Sequence, residues 1–219
     1  GIESFGRTYG IAESFAEMVR AQTGDERPLA AIVLSEESAD YRPEMTWLAE
    51  TLRERDLLPA YVCAPQDVIF TEEALFLRAE DGSQRRIDAI YRNFELFDLL
   101  NVPKQELMLY AARHNRVKMT PTPKAHMEEK LAFALFHHPL LAALWQNELG
   151  RNTYARLQGI FPQTWVLDPR PLPPQAVIYG LEAGGKPISD WMALLELGKS
   201  ERDFVVKPSG FSSLAWGSR

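Results

Sequence analysis

The residues best suited to chemistry lie near the carboxyl end of the chain, where a lysine stands beside a loop of small residues. Lys207 follows an apolar run over 204–206 that is typical of a buried strand. Pro208 ends the run, and the loop beyond it contains Ser209, Gly210, Ser212, Ser213, Gly217 and Ser218. An ammonium group beside the backbone N–H groups of a flexible loop suits a polyphosphate. The same residues also fit a strand-end lysine that reaches water next to an ordinary turn, and their spacing is not that of a Walker loop.

Two further cations are candidates for a site. Arg92 ends an alternating strand, so it lies at the carboxyl edge of the predicted sheet, where open α/β sheets bind their ligands. We therefore expect Arg92 to contact substrate, although a surface ion pair also fits it. Lys130 lies at the border of the apolar stripe of a predicted helix, a position also typical of a solvated charge over an apolar stem.

Composition narrows the classes of partner. The chain has 219 residues and a net charge of −6, and its pI is near 5.3. Surfaces that bind nucleic acids or anionic membranes carry clustered Lys and Arg, whereas this chain is acidic overall, so we expect neither as the main partner. No apolar run approaches the ~20 residues that span a bilayer. The single cysteine, Cys63, forms no internal disulfide and is typical of a buried small hydrophobe, so we expect a reducing, cytoplasmic location.

Three histidines, His126, His137 and His138, are possible metal ligands, but their spacing argues against a shared metal ion. His126 and His137 are eleven residues apart, which is about 16 Å along a helix and too far to share one ion. His138 adds no ligand spacing that zinc uses. We expect these histidines to cap helices or lie on the surface, and we predict no metal ligand in the chain.

The order of elements predicts an α/β protein. A helix that stops at Gly24 precedes the all-apolar run 29–34, and a second helix leads to a strand over 60–63. Strand, helix and strand with short connections predict a parallel sheet covered on both faces. Two strand-like runs around Asp81-Gly82 predict a hairpin whose second arm continues to Arg92.

Residues 1–120 are predicted to form a Rossmann-like domain, and residues 121–219 a helical segment followed by the start of a second domain. The predicted elements of the later chain are helices over 103–115, from 123 onward and over 189–197, and strands over 117–120, 164–167 and 204–206. The helix from 123 onward is expected to turn Met127, Leu131, Ala134 and Leu135 inward.

Four pieces in succession resemble the ATP-grasp superfamily, on its glutathione synthetase and glutathionylspermidine synthase side. They are DAIYR over 88–92, TPTPKAHMEEKL over 120–131, FPQTWVLD over 161–168 and DFVVKPSGFSSLAWGSR over 203–219. The resemblance covers roughly residues 29–219, and no single motif in it is diagnostic. It implies a Rossmann-like pre-ATP-grasp domain, then a helical segment, then the first part of an ATP-grasp nucleotide-binding domain.

The resemblance also implies roles for particular residues. Lys130 and Lys207 match the two nucleotide-binding lysines of the family, and the loop from Ser209 to Gly217 matches its phosphate loop, although Phe211, Leu214 and Trp216 are bulkier than the usual glycines. Arg92 would face the substrate. The cofactors implied are ATP and Mg²⁺, whose ligands belong to later strands that this sequence does not include. We therefore expect the chain to be the front portion of such an enzyme.

Three functions follow as expectations. The first is an ATP-dependent ligase that joins a small-molecule carboxylate to an amine through an acyl phosphate. The second is a non-catalytic α/β module that binds proteins or supports assembly. The third, a nucleotide-sugar transferase, would need a metal-binding acidic pair that Asp40 or Asp88 alone does not provide. The sequence leaves a homodimer open.

Overall fold

The described part of the chain falls into two units. The computed structural model describes residues 10–78, 82–168, 170, 172–173, 176–183, 185–198 and 204–211. The first unit is Gly1–Ala125 and the second is His126–Arg219. Each unit has its own buried clusters of apolar side chains, so each is described by itself.

A sheet of four parallel strands forms the centre of the first unit. In chain order its elements are α1 (Gly10–Thr23), β1 (Ala30–Leu34), α2 (Arg42–Glu54), β2 (Ala60–Cys63), β3 (Ile69–Phe70), β4 (Leu75–Arg78), β5 (Gln84–Arg86), β6 (Ala89–Asn93), α3 (Gln105–Arg113) and β7 (Lys118–Thr120). The parallel strands lie in the order β2, β1, β6, β7. The predicted α/β fold with a parallel sheet is therefore confirmed.

Both faces of this sheet are buried, as its central strand requires. All five residues of β1 are buried. Ala30, Ile32 and Leu34 pack with residues of α1 and α2, whereas Ala31 and Val33 pack with residues of α3 and β4. A strand that faces apolar neighbours on both sides needs an uninterrupted apolar sequence, which is why the run 29–34 predicts it correctly.

The hairpin predicted around Gly82 is present, but its second arm is shorter than expected. Strand β5 ends at Arg86, and β6 belongs to the parallel sheet instead. The change of sheet falls at Ile87 and Asp88, where the Asp88 carboxylate accepts a hydrogen bond from the Leu29 N–H at 2.9 Å. This bond fixes the start of β6 beside the start of β1, so the hairpin cannot continue in register.

The second unit is mainly helical. Its elements are α4 (Leu131–His137), α5 (Ala142–Leu149), α6 (Arg151–Gln158), β8 (Glu182–Ala183) and β9 (Lys186–Pro187). The ring of Phe136 lies 4.9 Å from the ring of Phe161, 5.1 Å from Tyr154 and 5.8 Å from Trp145, measured between centroids. These rings join α4, α5 and α6 around one aromatic centre.

Two strands predicted for the second unit are not formed. Residues 164–167 and 204–206 have no strand pairing, and the expected helix over 189–197 is a 3₁₀ helix, Trp191–Leu195. Val205 and Val206 are 79% and 73% exposed, so the expected buried strand is wrong. Its β-branched sequence favours an extended backbone, but the described residues of this unit supply only the two-residue strands β8 and β9, which pair with each other.

Of the four residues expected to turn inward in the helix from residue 123 onward, Ala134 is buried as expected and the other three are not. The α-helix begins at Leu131 and buries Ala134 and Phe136, while Met127, Leu131 and Leu135 are 63%, 46% and 43% exposed. A 3₁₀ turn, Ala125–Met127, precedes the helix and breaks the periodicity on which the prediction relied. None of the helices in the described residues is both long and apolar enough to cross a bilayer.

Candidate functional site

The Lys207 segment lies open to solvent in an extended conformation. Residues 204–209 are exposed, and Phe204 contacts the ring of Trp165 at a centroid distance of 6.1 Å. The N–H of Phe211 donates to the Ser209 hydroxyl at 3.2 Å, which closes a small turn after Pro208. Of the predicted loop residues, Ser209 and Gly210 are described, whereas Ser212, Ser213 and Gly217 lie outside the described residues.

Lys130 lies immediately before α4, at the N-cap position of that helix. Its side chain is exposed, and two glutamates, Glu128 and Glu129, precede it in sequence. A cation at a helix amino terminus gains nothing from the helix dipole, so the position does not by itself stabilise the fold.

The fold brings the segments that carry Lys130 and Lys207 into contact. The Ser209 hydroxyl donates a short hydrogen bond to the Glu129 carboxylate, across 80 residues of sequence. Gly210 lies close to the same segment, because a Cβ added to it would meet the Glu128 carbonyl oxygen at 3.7 Å. The sequence predicts that these two segments share one site, and that stays a prediction.

The donors at this contact suit a phosphate group in part. The Ser209 hydroxyl lies at this contact, and Lys130 and Lys207 are within two residues in sequence of Glu129 and Ser209 respectively. Ammonium and hydroxyl groups are the donors that bind phosphate oxygens. The Glu129 carboxylate opposes such binding, because it holds the Ser209 hydroxyl and repels a second anion. A phosphate at Ser209 would have to replace Glu129 as the acceptor.

Arg92 lies at the carboxyl end of β6, where the sequence predicted it, but its guanidinium points into the protein. The residue is 5% exposed. Its Nε donates to the Pro121 carbonyl at 3.3 Å, and its Nη1 makes a short hydrogen bond to the Phe94 carbonyl. Its guanidinium carbon also lies 5.6 Å from the centre of the Phe94 ring. These contacts tie the chain after β6 to the chain after β7, and substrate binding by Arg92 stays a prediction.

Asp168 and Arg170 form a local ion pair just after residues 164–167. The Arg170 guanidinium donates to the Asp168 carboxylate at 3.0 Å and lowers the pKa of that carboxyl to about 2, while the pKa of Arg170 is raised by the same hydrogen bond. The Arg170 side chain is 84% exposed, so the pair stays charged near neutral pH without marking a buried site.

The first unit contains a group of cations that the sequence did not predict as a site. Arg53, Arg78, Arg85 and Lys104 line one open cavity beside Tyr61. They come from four separate segments, so no local pattern announces them. The only signal in the sequence is a basic pair, Arg85-Arg86, in a strand that has no apolar residue.

The histidines and carboxylates offer no metal cluster in the residues that the structure describes, where no three of the side chains His, Cys, Asp and Glu converge. His138 accepts a hydrogen bond from the Leu140 N–H at 3.3 Å and so caps a short 3₁₀ turn, as expected of a capping residue. His137 Nε2 lies 3.1 Å from the Phe161 carbonyl oxygen and fixes the loop after α6.

Cys63 is a buried thiol at the wall of the cavity in the first unit. Burial, followed by repulsion from the Asp67 carboxylate, raises the pKa of Cys63 from 9.0 to about 12. The thiol therefore stays protonated at neutral pH and is a poor nucleophile in the folded protein, which fits the predicted role of a small hydrophobe.

We expect the raised pKa of Cys63 to make the protein less stable in alkali. The unfolded thiol loses its proton near pH 9, before the folded one, so the stabilisation is complete below pH 9 and declines as the pH rises towards 12. At pH 10 the free energy of unfolding should fall by about 1 kcal/mol through this group. Urea unfolding of the natural chain and of Cys63→Ala at pH 7 and pH 10 measures it. An equal pH dependence in both proteins would contradict the assignment.

Comparison with known proteins finds neither a family model that matches the chain nor a similar curated protein. Function is therefore inferred from the residues and their geometry.

Proposed function

We propose that the protein is an ATP-dependent carboxylate–amine ligase of the ATP-grasp type, whose nucleotide phosphates bind between Lys130 and the Lys207 loop. The observation that carries the proposal is the hydrogen bond from Ser209 to Glu129, which joins the two lysine-bearing segments. The parallel α/β first unit is compatible with the Rossmann-like domain that such an enzyme requires.

The chain's own residues would act by charge and position. Lys130 and Lys207 would attract phosphate oxygens, and the Ser209 hydroxyl would turn from Glu129 to donate to one of them. ATP, with Mg²⁺, would supply the phosphoryl group that activates a small-molecule carboxylate towards an amine. The cytoplasm, where both are abundant, is part of the proposal.

Nucleotide binding tests the proposal. We expect Lys130→Ala and Lys207→Ala each to weaken binding of ATP in the presence of Mg²⁺ by about tenfold, since each removes a charge-assisted contact. Lys186→Ala is the matched control, because Lys186 is an exposed lysine of the same unit that lies in the β8–β9 hairpin. Isothermal titration calorimetry on the full chain measures the dissociation constants.

Glu129→Gln provides the sharper variant of the same experiment. It removes the charge that competes with phosphate while keeping a hydrogen-bond acceptor for Ser209, so nucleotide affinity should rise. If neither lysine variant weakens binding and Glu129→Gln does not strengthen it, the nucleotide site is not here.

A second function, a non-catalytic protein-binding module, is favoured by the exposed apolar side chains of the second unit. Val205, Val206 and Leu140 are 79%, 73% and 85% exposed. Apolar groups that remain in water favour contact with another surface. A module of this kind would keep its partner when Lys130 and Lys207 are both replaced by alanine, whereas a ligase would lose its nucleotide.

A further inference from the structure

A cavity of about 1060 Å³ opens on the first unit, and the residues that line it include none of those assigned to the nucleotide. It is lined by the edge strand β2 and by side chains from β3, β4 and β5. Among the lining residues that the structure describes, four are cations, Arg53, Arg78, Arg85 and Lys104, and one is an acid, Asp67. We call this cavity the cationic cleft.

The cleft concentrates positive charge in a chain whose net charge is −6. Within the described residues, the ion pairs involve Arg27, Arg55, Arg86 and Arg170, and none of the four cleft cations. The Asp67 carboxylate accepts a hydrogen bond from the Ala64 N–H at 3.1 Å. Like charges that converge in this way attract anions from solution.

Neutral acceptors hold three of the cations in place. Arg85 donates to the Tyr61 hydroxyl at 2.6 Å, and Arg53 donates to the Ala60 carbonyl at 2.5 Å. Their guanidinium carbons lie 5.6 Å and 4.9 Å from the centre of the Tyr61 ring. Lys104 donates to the carbonyls of Gln66 and Val68 at 2.6 and 2.7 Å. Neutral acceptors position the cations without cancelling their charge, which is the arrangement of a prepared anion site.

The edge strand adds a backbone donor. The N–H of Ala30 donates to the carbonyl of Pro59. In a parallel pair, alternate residues of a strand point their backbone N–H and C=O groups at the neighbouring strand. These backbone groups therefore point towards β1 at Tyr61 and away from β1 at Ala60 and Val62. The outward carbonyl of Ala60 is the one that Arg53 covers, which agrees with this alternation. The N–H of Val62 therefore points away from β1, and Val62 lines the cleft, so this N–H is a candidate backbone donor to an anion.

We propose that the cationic cleft binds a small polyanion that carries at least two oxyanion groups, either phosphates or carboxylates. Four cations against one acid leave more charge than a single monovalent anion can neutralise. A cavity of this volume matches the upper range of small-molecule sites. Addition of an acidic peptide as an extra strand is disfavoured, because Arg53 occupies the Ala60 carbonyl that such a strand would pair with. The proposal does not depend on nucleotide binding in the second unit.

Titration of the full chain with tripolyphosphate and, separately, with citrate tests the cleft and distinguishes its two chemistries. We expect at least one of them to bind, and Arg78→Gln and Arg85→Gln each to weaken that binding by about tenfold. Arg85→Lys should restore part of the affinity because it keeps the charge. Arg27→Gln is the control, since Arg27 is an exposed arginine that pairs with Asp56 outside the cleft.

The outcomes separate this site from the nucleotide site. Binding at the cleft should survive Lys207→Ala, and nucleotide binding should survive Arg78→Gln. Thermal unfolding confirms that each variant is folded. The proposal is overturned if neither polyanion binds, if the Arg78→Gln and Arg85→Gln variants bind as tightly as the natural chain, or if only an acidic peptide binds.

Discussion

Replacement of Arg92 by alanine should lower the free energy of unfolding of the first unit by about 3 kcal/mol. The side chain is 5% exposed, and it donates to the main-chain carbonyls of Pro121 and Phe94. Its removal would leave these two acceptors without their charged donor, and a hydrogen bond to a charged group is worth about 1.5–3 kcal/mol. Urea unfolding followed by circular dichroism measures the change.

The control for Arg92 is an arginine whose contacts are exposed. Arg27 pairs with Asp56, and their side chains are 68% and 72% exposed, so Arg27→Ala should change stability by less than about 1 kcal/mol. Equal stability of Arg92→Ala and the natural chain would show that the buried contacts are not structural. In that case the hypothesis of a substrate-binding arginine at the sheet edge would gain support.

The position of Arg92 could be predicted from the sequence, but the direction of its guanidinium could not. The alternation of side chains along residues 87–92 is a local pattern that predicts where the strand ends, and it places residue 92 at the carboxyl end of β6. One acceptor of the guanidinium, the Phe94 carbonyl, is local, but the other, the Pro121 carbonyl, is set by the path of the chain after β7, 29 residues later. A local pattern carries no information about such a distant carbonyl.

The same contrast explains which strands were predicted correctly. The run over β1 is apolar at every residue because both faces of the strand are covered, and burial on both faces is visible in the sequence. Residues 204–206 have the same character but remain exposed, because a strand also needs a neighbour with free backbone groups. Pairing partners are a property of the whole unit, so β-propensity alone misassigned this segment.

The cationic cleft could not have been predicted for a related reason. Arg53 comes from α2, Arg85 from β5 and Lys104 from the residue before α3. They surround the cavity beside Tyr61 only because the chain leaves the parallel sheet after β2, forms the antiparallel sheet and returns at β6. The sequence did predict one site for Lys130 and Lys207, whose segments the hydrogen bond between Ser209 and Glu129 joins, but the site itself stays a prediction.

Replacement of Phe136 by alanine should have the largest effect on the second unit, a loss of about 3–5 kcal/mol in its free energy of unfolding. Phe136 is 4% exposed, and its ring contacts the rings of Phe161, Tyr154 and Trp145. Alanine would leave a cavity where α4, α5 and α6 meet, and the remaining rings are too rigid to fill it. Tryptophan fluorescence during urea unfolding reports mainly on this unit, because four of the five tryptophans belong to it and only Trp47 belongs to the first unit.

Two comparisons make the Phe136 result specific to packing. Leu140→Ala removes an apolar side chain that is 85% exposed, so it should change stability by no more than about 0.5 kcal/mol. Amide hydrogen exchange should show faster exchange in α4, α5 and α6 of Phe136→Ala, while the amides of β1 keep their protection, because Phe136 belongs to the second unit and β1 to the first. If Phe136→Ala is no less stable than Leu140→Ala, the aromatic centre does not hold the three helices together.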